Sequence, residues 1–230
     1  MSRLLDVSTS FVSTFLRPGA GMFVRGVGAR PEARVRLYEF EGCPFCRKVR
    51  EMLTTLDLDA AIFPCPRGGT RFRPEVEKHG KRQFPFLIDP NTGEQMFESD
   101  AIVRYLADRY GDGKVPLSLR MGPLTVLSGG AGSLLRFPRG TRARPSRQPE
   151  GPLELYGYEA SPYTRLVREA LSELELPYVL HNVGRGSPRR AEFVALSGKM
   201  QVPYLVDPNT GTAMFESEKI VAYLDKTYAL

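Results

Sequence analysis

The 230-residue chain has no tryptophan, only two histidines and only three cysteines. Three cysteines are too few to staple a secreted fold, and they fit a reducing compartment. A structural zinc site would need a second ligand pair beside Cys43 and Cys46. Only Cys65 and the scattered His79 and His181 remain, so no metal is expected. No uncharged apolar run reaches membrane-spanning length, and the N-terminal residues lack the apolar centre and cleavage site of a signal peptide, so none is expected. A membrane partner is not expected. Acidic residues are missing from two stretches. Residues 113–149 hold seven Lys and Arg and no Asp or Glu, and residues 1–34 hold only Asp6 and Glu32. The net charge of +6 therefore belongs to connectors. Without interleaved aromatics, the 113–149 stretch reads as a solvated flexible linker rather than a nucleic-acid surface.

What is present is a duplication. Shifted by 118 positions, residues 37–110 lie on residues 155–228 without a gap, with 34 identities in 74 positions. The longest shared block is Asp89-Pro90-Asn91-Thr92-Gly93 against Asp207-Pro208-Asn209-Thr210-Gly211. A match of that length is a repeated domain, not a short solenoid unit. The organisation expected is a lead-in at 1–34, a first domain at 35–112, a basic linker at 113–150 and a second domain at 151–230. The lead-in is Ser-, Gly- and Arg-rich, as organellar transit segments are. Phe15-Leu16-Arg17 is echoed by Leu134-Leu135-Arg136. That echo favours packed lead-in helices over residues 4–16 and 117–135.

Hydrophobic spacing predicts strands at 35–40, 60–64, 86–88 and 95–97 of the first repeat. Helices are expected at 46–56, 70–79 (weak, with a late start near Pro74) and 99–110, the last capped by Ser99. The second repeat predicts strands at 153–158, 178–182, 204–206 and 213–215, and helices at 164–174, 189–196 and 217–228. Asp89–Gly93 has the composition of a hairpin turn. Tyr105, Tyr110, Tyr223 and Tyr228 fall on the core side of the terminal helices.

Cys43-Pro44-Phe45-Cys46 opens a helix directly after a strand. A thiol there meets unpaired N–H groups and the positive end of the helix dipole, which favour its thiolate. Arg47 and Lys48 add positive charge, and Pro44 costs no hydrogen bond in a first turn. Cys43 can attack a disulfide and Cys46 can resolve the product. A disulfide between them would close a tiny loop and restrain the unfolded chain little. Cys65 reads as a buried spectator or as an alternative resolving thiol. His79 and His181 belong to no motif and read as solvated or locally bonded.

The element order, with Cys43-Pro44-Phe45-Cys46, Gln83-Phe84-Pro85-Phe86-Leu87 and Glu98-Ser99, resembles the thioredoxin fold. More narrowly, it resembles glutaredoxins and the glutathione transferase N-terminal domain. Ser161-Pro162-Tyr163-Thr164, Gln201-Val202-Pro203-Tyr204-Leu205 and Glu216-Ser217 repeat the set. The tandem arrangement resembles a family of plant and algal chloroplast two-domain thioredoxin-like proteins, which implies a chloroplast location, with the cytoplasm as the alternative. The resemblance implies an α/β fold of two tandem thioredoxin-like domains, packed as an internal pseudo-dimer, and glutathione as co-substrate. It implies that Pro85 and Pro203 are cis and that Phe84 and Val202 pair with the ligand's main chain. Glu98-Ser99 and Glu216-Ser217 would hold the γ-glutamyl end, with Phe45, Gln83 and Gln201 beside the peptide. Cys43 would be nucleophile and Cys46 resolver, acting on disulfide-bearing proteins. Ser161 and Thr164 remove redox chemistry from the second repeat. Two other readings stay open: a non-catalytic binding scaffold, and a glutathione transferase using Ser161.

Overall fold

The structure, a computed structural model, describes residues 7–12, 20–120 and 136–230. The first repeat runs β1 (Val35–Glu39), α1 (Pro44–Thr55), β2 (Ala60–Pro64), α2 (Arg73–Glu77), β3 (Phe86–Ile88), β4 (Gln95–Phe97) and α3 (Ser99–Tyr110). A single turn, α4 (Leu117–Arg120), comes after it. The second runs β5 (Leu153–Gly157), α5 (Pro162–Glu173), β6 (Tyr178–Asn182), α6 (Arg190–Ser197), β7 (Tyr204–Asp207), β8 (Thr212–Phe215) and α7 (Ser217–Tyr228). The weak helix over 70–79 shrinks to five residues, bounded by Pro74 in its first turn and Gly80 at φ +89°. Residues 7–12 are helical. The rest of the expected lead-in helices, apart from α4, lies outside the described residues.

Each terminal hairpin is locked onto its helix through a buried carboxylate. Asp89 accepts the side-chain and main-chain N–H groups of Asn91 and the hydroxyls of Tyr105 and Tyr110. Asp207 repeats this with Asn209, Tyr223 and Tyr228. The four tyrosines thus pack, as expected, and also supply the donors that a buried carboxylate requires.

Within each repeat the first two strands are parallel and the last two antiparallel, so both are thioredoxin-like α/β units. β2 and β6 then join antiparallel, and one eight-stranded sheet results, in the order β4-β3-β1-β2-β6-β5-β7-β8. The register pairs Ala60 with Leu180, Ala61 with Val179 and Ile62 with Tyr178. A shift of 118 maps Ala61 onto Val179, so the seam is an internal two-fold contact. The apolar stripes of α1, α3, α5 and α7 share one core, with Val49, Leu53, Ile102, Val167, Leu171 and Ile220 all buried. Cys65 sits in a smaller cluster with Tyr38, Val76 and Phe86.

The described parts of both connectors are held against the folded halves. Each crosses to the opposite half. Val24 and Met22 pair by main chain with Arg185, and Thr141 and Ala143 pair with Arg67. Gly21 accepts the Ala160 N–H, and Gly140 accepts the Gly42 N–H. Both glycines have positive φ, and a Cβ on either would fall within 2.8 Å of the Cβ of Glu159 or Glu41. The expected flexible linker is therefore corrected over residues 136–147. Arg136 is buried against Glu169, and Arg144 bridges Glu173 and Asp225. Arg136 and Arg144 have carboxylate partners in the second domain, 29 to 81 residues along the chain, which sequence-local charge counting does not see.

Candidate active site

Cys43 leaves β1 with extended backbone geometry and becomes the N-cap of α1. Its Sγ accepts the Cys46 N–H at 3.3 Å, a capping bond that satisfies one of the orphan donors of the first turn. Burial pushes the Cys43 thiol up. The Cys46 thiol and the main-chain N–H groups of Cys46 and Phe45 outweigh it and hold Cys43 below the ordinary thiol value. Burial drives Cys46 well above that value, and its hydrogen bond to Cys43 adds to the effect. One helix turn therefore separates the two thiols into an ionisable sulfur and a protonated one.

The contribution expected of Arg47 and Lys48 is corrected. Arg47 pairs with Glu51 and Glu159, and Lys48 pairs with Asp100. Their charges are spent on packing α1, while main-chain groups and Cys46 lower the Cys43 pKa. Cys65 is fully buried, and burial drives its thiol far above the ordinary value, which matches the spectator reading.

Around Cys43 the structure brings together the expected peptide-binding residues. The Phe84-Pro85 bond is cis, and the Phe84 carbonyl lies 3.9 Å from Cys43 Sγ. The Arg73 guanidinium covers the Phe84 ring at 4.8 Å and donates to the carbonyls of Cys65 and Pro66. Gln83 Nε2 donates to Glu98 Oε1 at 2.7 Å, which orients that carboxylate. Glu98 is the N-cap of α3, with φ +69° and no capping side-chain bond, and Ser99 is the first helical residue. The expected cap at Ser99 is thus corrected by one position. Glu98 turns the chain through a conformation that costs about 1–3 kcal/mol for a residue with a Cβ. Its main chain enters the helix with first-turn N–H groups aimed outward. Phe45 stands 45% exposed beside this arrangement.

The second repeat copies the frame without the sulfur. Ser161 Oγ accepts the Thr164 N–H at 3.1 Å, Val202-Pro203 is cis, and Gln201 Nε2 donates to Glu216 Oε1 at 2.6 Å. Glu216 has φ +73° at the N-cap, and Ser217 begins α7. This copy is partly covered. Ser10 Oγ donates to the Pro162 carbonyl at 2.7 Å, and Phe11 packs edge-on to Tyr163 at 5.6 Å.

Sequence reasoning missed the charges behind both sites. Glu41, two residues before Cys43, takes Arg168 from the other half; Glu159, two before Ser161, takes Arg50. Arg168 also reaches Glu159, and Arg50 also reaches Glu41 and Glu39. All five are buried. The signal was available: the 118 shift superposes Glu41 on Glu159 and Arg50 on Arg168. Helical periodicity, however, places charged residues outside. Glu39 has no twin, because Gly157 occupies its place, where a Cβ would fall 2.4 Å from Thr164 Cγ2.

Two thioredoxin-like units fused through one sheet, one with a thiol pair at a helix start and one without, define a tandem thioredoxin-fold protein. The family described as "Glutathione S-transferase, N-terminal domain" matches residues 37–114 and again residues 155–230. The chain belongs to that family. It is similar to Protein URE2 of Meyerozyma guilliermondii, 34% identical over 86 residues, 36% of this chain and 29% of that protein. It is also similar to the glutathione S-transferase-like protein tpcF of Aspergillus fumigatus, 32% identical over 77 residues, 34% of each chain. The chain thus spans about a third of the length of these curated relatives. Among solved structures, the Bombyx mori glutathione transferase BmGSTD1 matches 36% of this chain and 38% of its own at 29% identity, TM-score 0.33.

Proposed function

We propose that the chain is a glutathione-linked thiol–disulfide oxidoreductase working through its first half. The supporting observation is the division of the thiols, with Cys43 capped and lowered and Cys46 buried and raised. The Cys43 thiolate attacks a protein–glutathione mixed disulfide at the glutathione sulfur. The protein thiolate leaves and takes up a proton, and a Cys43–glutathione disulfide forms. Either a second glutathione thiolate attacks the bound glutathione sulfur, giving glutathione disulfide, or Cys46 attacks Cys43 and frees glutathione. In the second route a glutathione thiolate then attacks Cys43 of the Cys43–Cys46 disulfide and returns the Cys46 thiol with a Cys43–glutathione disulfide. A second glutathione thiolate takes that sulfur as glutathione disulfide and frees the Cys43 thiolate, so glutathione is the reductant in both routes.

The peptide has a matching cradle. Its γ-glutamyl carboxylate fits the first-turn N–H groups of α3 beside Ser99, and its ammonium fits Glu98, oriented by Gln83. Its cysteinyl main chain fits Phe84, with Phe45 flanking. In the second half Gln201, Val202, Pro203, Glu216 and Ser217 keep the frame. Ser161 and Thr164 cannot exchange disulfides, and residues 10 and 11 cover Pro162 and Tyr163, so that half serves as partner and support. We read the location as chloroplast, by resemblance to plant and algal two-domain proteins; a fluorescent fusion at the C-terminus of the full chain, imaged in plant cells, tests it.

The experiment for the activity is reduction of a glutathionylated peptide, followed by mass spectrometry, for the parent chain, Cys43→Ser and Cys46→Ser. Turnover is expected in the parent and in Cys46→Ser, and none in Cys43→Ser. Equal turnover in Cys43→Ser overturns the mechanism. Conjugation of chlorodinitrobenzene that is lost in Ser161→Ala would instead support a transferase.

A further inference from the structure

A short ladder outside the main sheet lies beside the thiol loop. The Arg67 N–H donates to the Thr141 carbonyl at 2.7 Å, and the Ala143 N–H donates to the Arg67 carbonyl at 2.9 Å. Arg67 of the first half and Arg142 of the connector are thereby bridge partners. Partners across a bridge point to the same face, so two guanidinium groups stand side by side. Both residues are exposed, and neither side chain has an ion-pair partner among the described residues. Like charges at opposed positions repel, so the pair holds a standing demand for an anion.

The ladder itself does not require the second arginine. In the other half Val24 and Met22 pair with Arg185 in the same way, and Phe23 takes the place of Arg142. The doubled guanidinium belongs only to the half that carries the thiols.

Its place ties the pair to the reaction. Thr141, next to Arg142, fills the space at Gly42, the residue before Cys43; a Cβ there would fall 2.1 Å from Thr141 Cγ2. On the other side stands Arg73, whose guanidinium burial holds below its ordinary value. The neighbouring positive charges of Arg82 and Arg67 lower it further. Arg73 in turn covers the Phe84 ring at 4.8 Å. The carboxylates along this edge are engaged. Glu75 accepts the Tyr38 hydroxyl, and Glu77 pairs with Arg82. Glu175 accepts the N–H groups of Thr70 and Arg71, and Glu173 takes the Gly140 N–H and Arg144. Beyond its γ-glutamyl end, glutathione brings one carboxylate, at its glycyl terminus. One such group does not neutralise Arg67, Arg73 and Arg142 together. The remaining negative charge has to come from the other reactant, the protein joined through the disulfide.

We infer that Arg67 and Arg142 form a docking point for acidic protein substrates, holding an Asp or Glu beside the glutathionylated cysteine. The forked donors of the two guanidinium groups suit a carboxylate. The inference rests on the exchange reaction proposed above and adds to it the class of protein served.

The test compares two glutathionylated peptides, one with Asp on both sides of its cysteine and one with Asn there. For the full chain at low salt, kcat/KM is expected to be about tenfold higher for the acidic peptide, and about 1 M sodium chloride should close the gap. Arg142→Phe, which installs the residue of the second half's ladder, is expected to cut the preference about threefold or more. Arg142→Lys is expected to keep most of it. Equal kcat/KM for the two peptides, or a preference that Arg142→Phe leaves whole, overturns the inference. So does a rise in the KM for glutathione in Arg142→Phe with the peptide preference untouched, which would give the pair to the glycyl carboxylate. Fluorescence anisotropy of the labelled peptides on the Cys43→Ser chain reads docking without turnover. No turnover in the parent together with tighter binding of the acidic peptide would sink the exchange reaction and keep the docking point. Equal binding of the two peptides would sink the docking point. A labelled single-stranded oligonucleotide that binds more tightly than the acidic peptide would assign the surface to nucleic acid and overturn the inference as well.

Discussion

Ala61 and Val179 stand opposite one another at the centre of the eight-stranded sheet, and they are the same position of the repeat. A register that pairs a position with its own copy places the two-fold relation inside a single chain. The exchange continues outward from that point. Glu41 takes Arg168 and Glu159 takes Arg50, and beyond them Gly140 closes on Gly42 and Gly21 on Ala160. The loop that carries Cys43 is therefore held by the opposite half as much as by its own.

Removing one member of this exchange leaves a buried charge without its partner. Arg168→Ala is expected to cost about 3–5 kcal/mol, read from the urea midpoint. Glu41→Gln combined with Arg168→Met is expected to cost less than the sum of the single changes, since neither charge is then stranded. Strict additivity would show that the pair is not coupled.

Because the seam consists of sheet hydrogen bonds, a shared core and swapped connectors, the halves are expected to unfold together. Calorimetry of the full chain should give one transition, with equal calorimetric and van't Hoff enthalpies. Two resolved transitions would show that the halves fold independently.

Glu39 carries a pH dependence. Burial raises its carboxyl to about 7, and Arg50, shared with Glu41 and Glu159, offsets this only in part. The folded pKa lies above the unfolded value, so the folded state holds a proton that the unfolded chain has released. This contribution is full below about pH 4.5, the ordinary carboxyl value, and is lost as pH rises towards 7. Glu39→Gln should flatten the stability–pH curve across that window. An unchanged slope between pH 4.5 and 7 would place the titration elsewhere.

The second half is expected to regain a thiol site when its sulfurs are returned. Ser161→Cys with Thr164→Cys puts a thiol where Ser161 Oγ already accepts the Thr164 N–H. Alkylation should report one additional reactive cysteine. Phe11→Ala in that background should speed the reaction by uncovering Tyr163, while an unchanged rate would mean that residues 7–12 do not shield the site.

Glu98 separates binding from stability. Glu98→Gly relieves a positive φ and is expected to hold or raise stability, by up to about 1–3 kcal/mol. It also removes the carboxylate proposed for the glutathione ammonium, so the KM for glutathione should rise about tenfold. A fall in stability with an unchanged KM would assign Glu98 to the fold alone.

The local pattern carried most elements and the places of Cys43, Phe84-Pro85 and Glu98 at their ends, because hydrophobic period and turn chemistry act over a few residues. Glu98 rather than Ser99 caps α3, because the cap depends on a positive φ that composition does not reveal. Arg47 and Lys48 are adjacent to Cys43 in sequence, yet carboxylates from elsewhere in the fold claim them. His181 had no motif because its partner, Asp59, comes from the other half.

The duplication, the paired thiols of one copy and their loss in the other follow from residue identity and spacing alone, since those act within one repeat. The joining of β2 to β6, the crossing of the connectors, the buried exchange of Glu41 and Glu159 with Arg168 and Arg50, and the contact of His181 with Asp59 follow only from the tertiary structure. Each of these depends on which groups two distant segments bring together out of water, and burial turns such meetings into large energies that sequence separation hides.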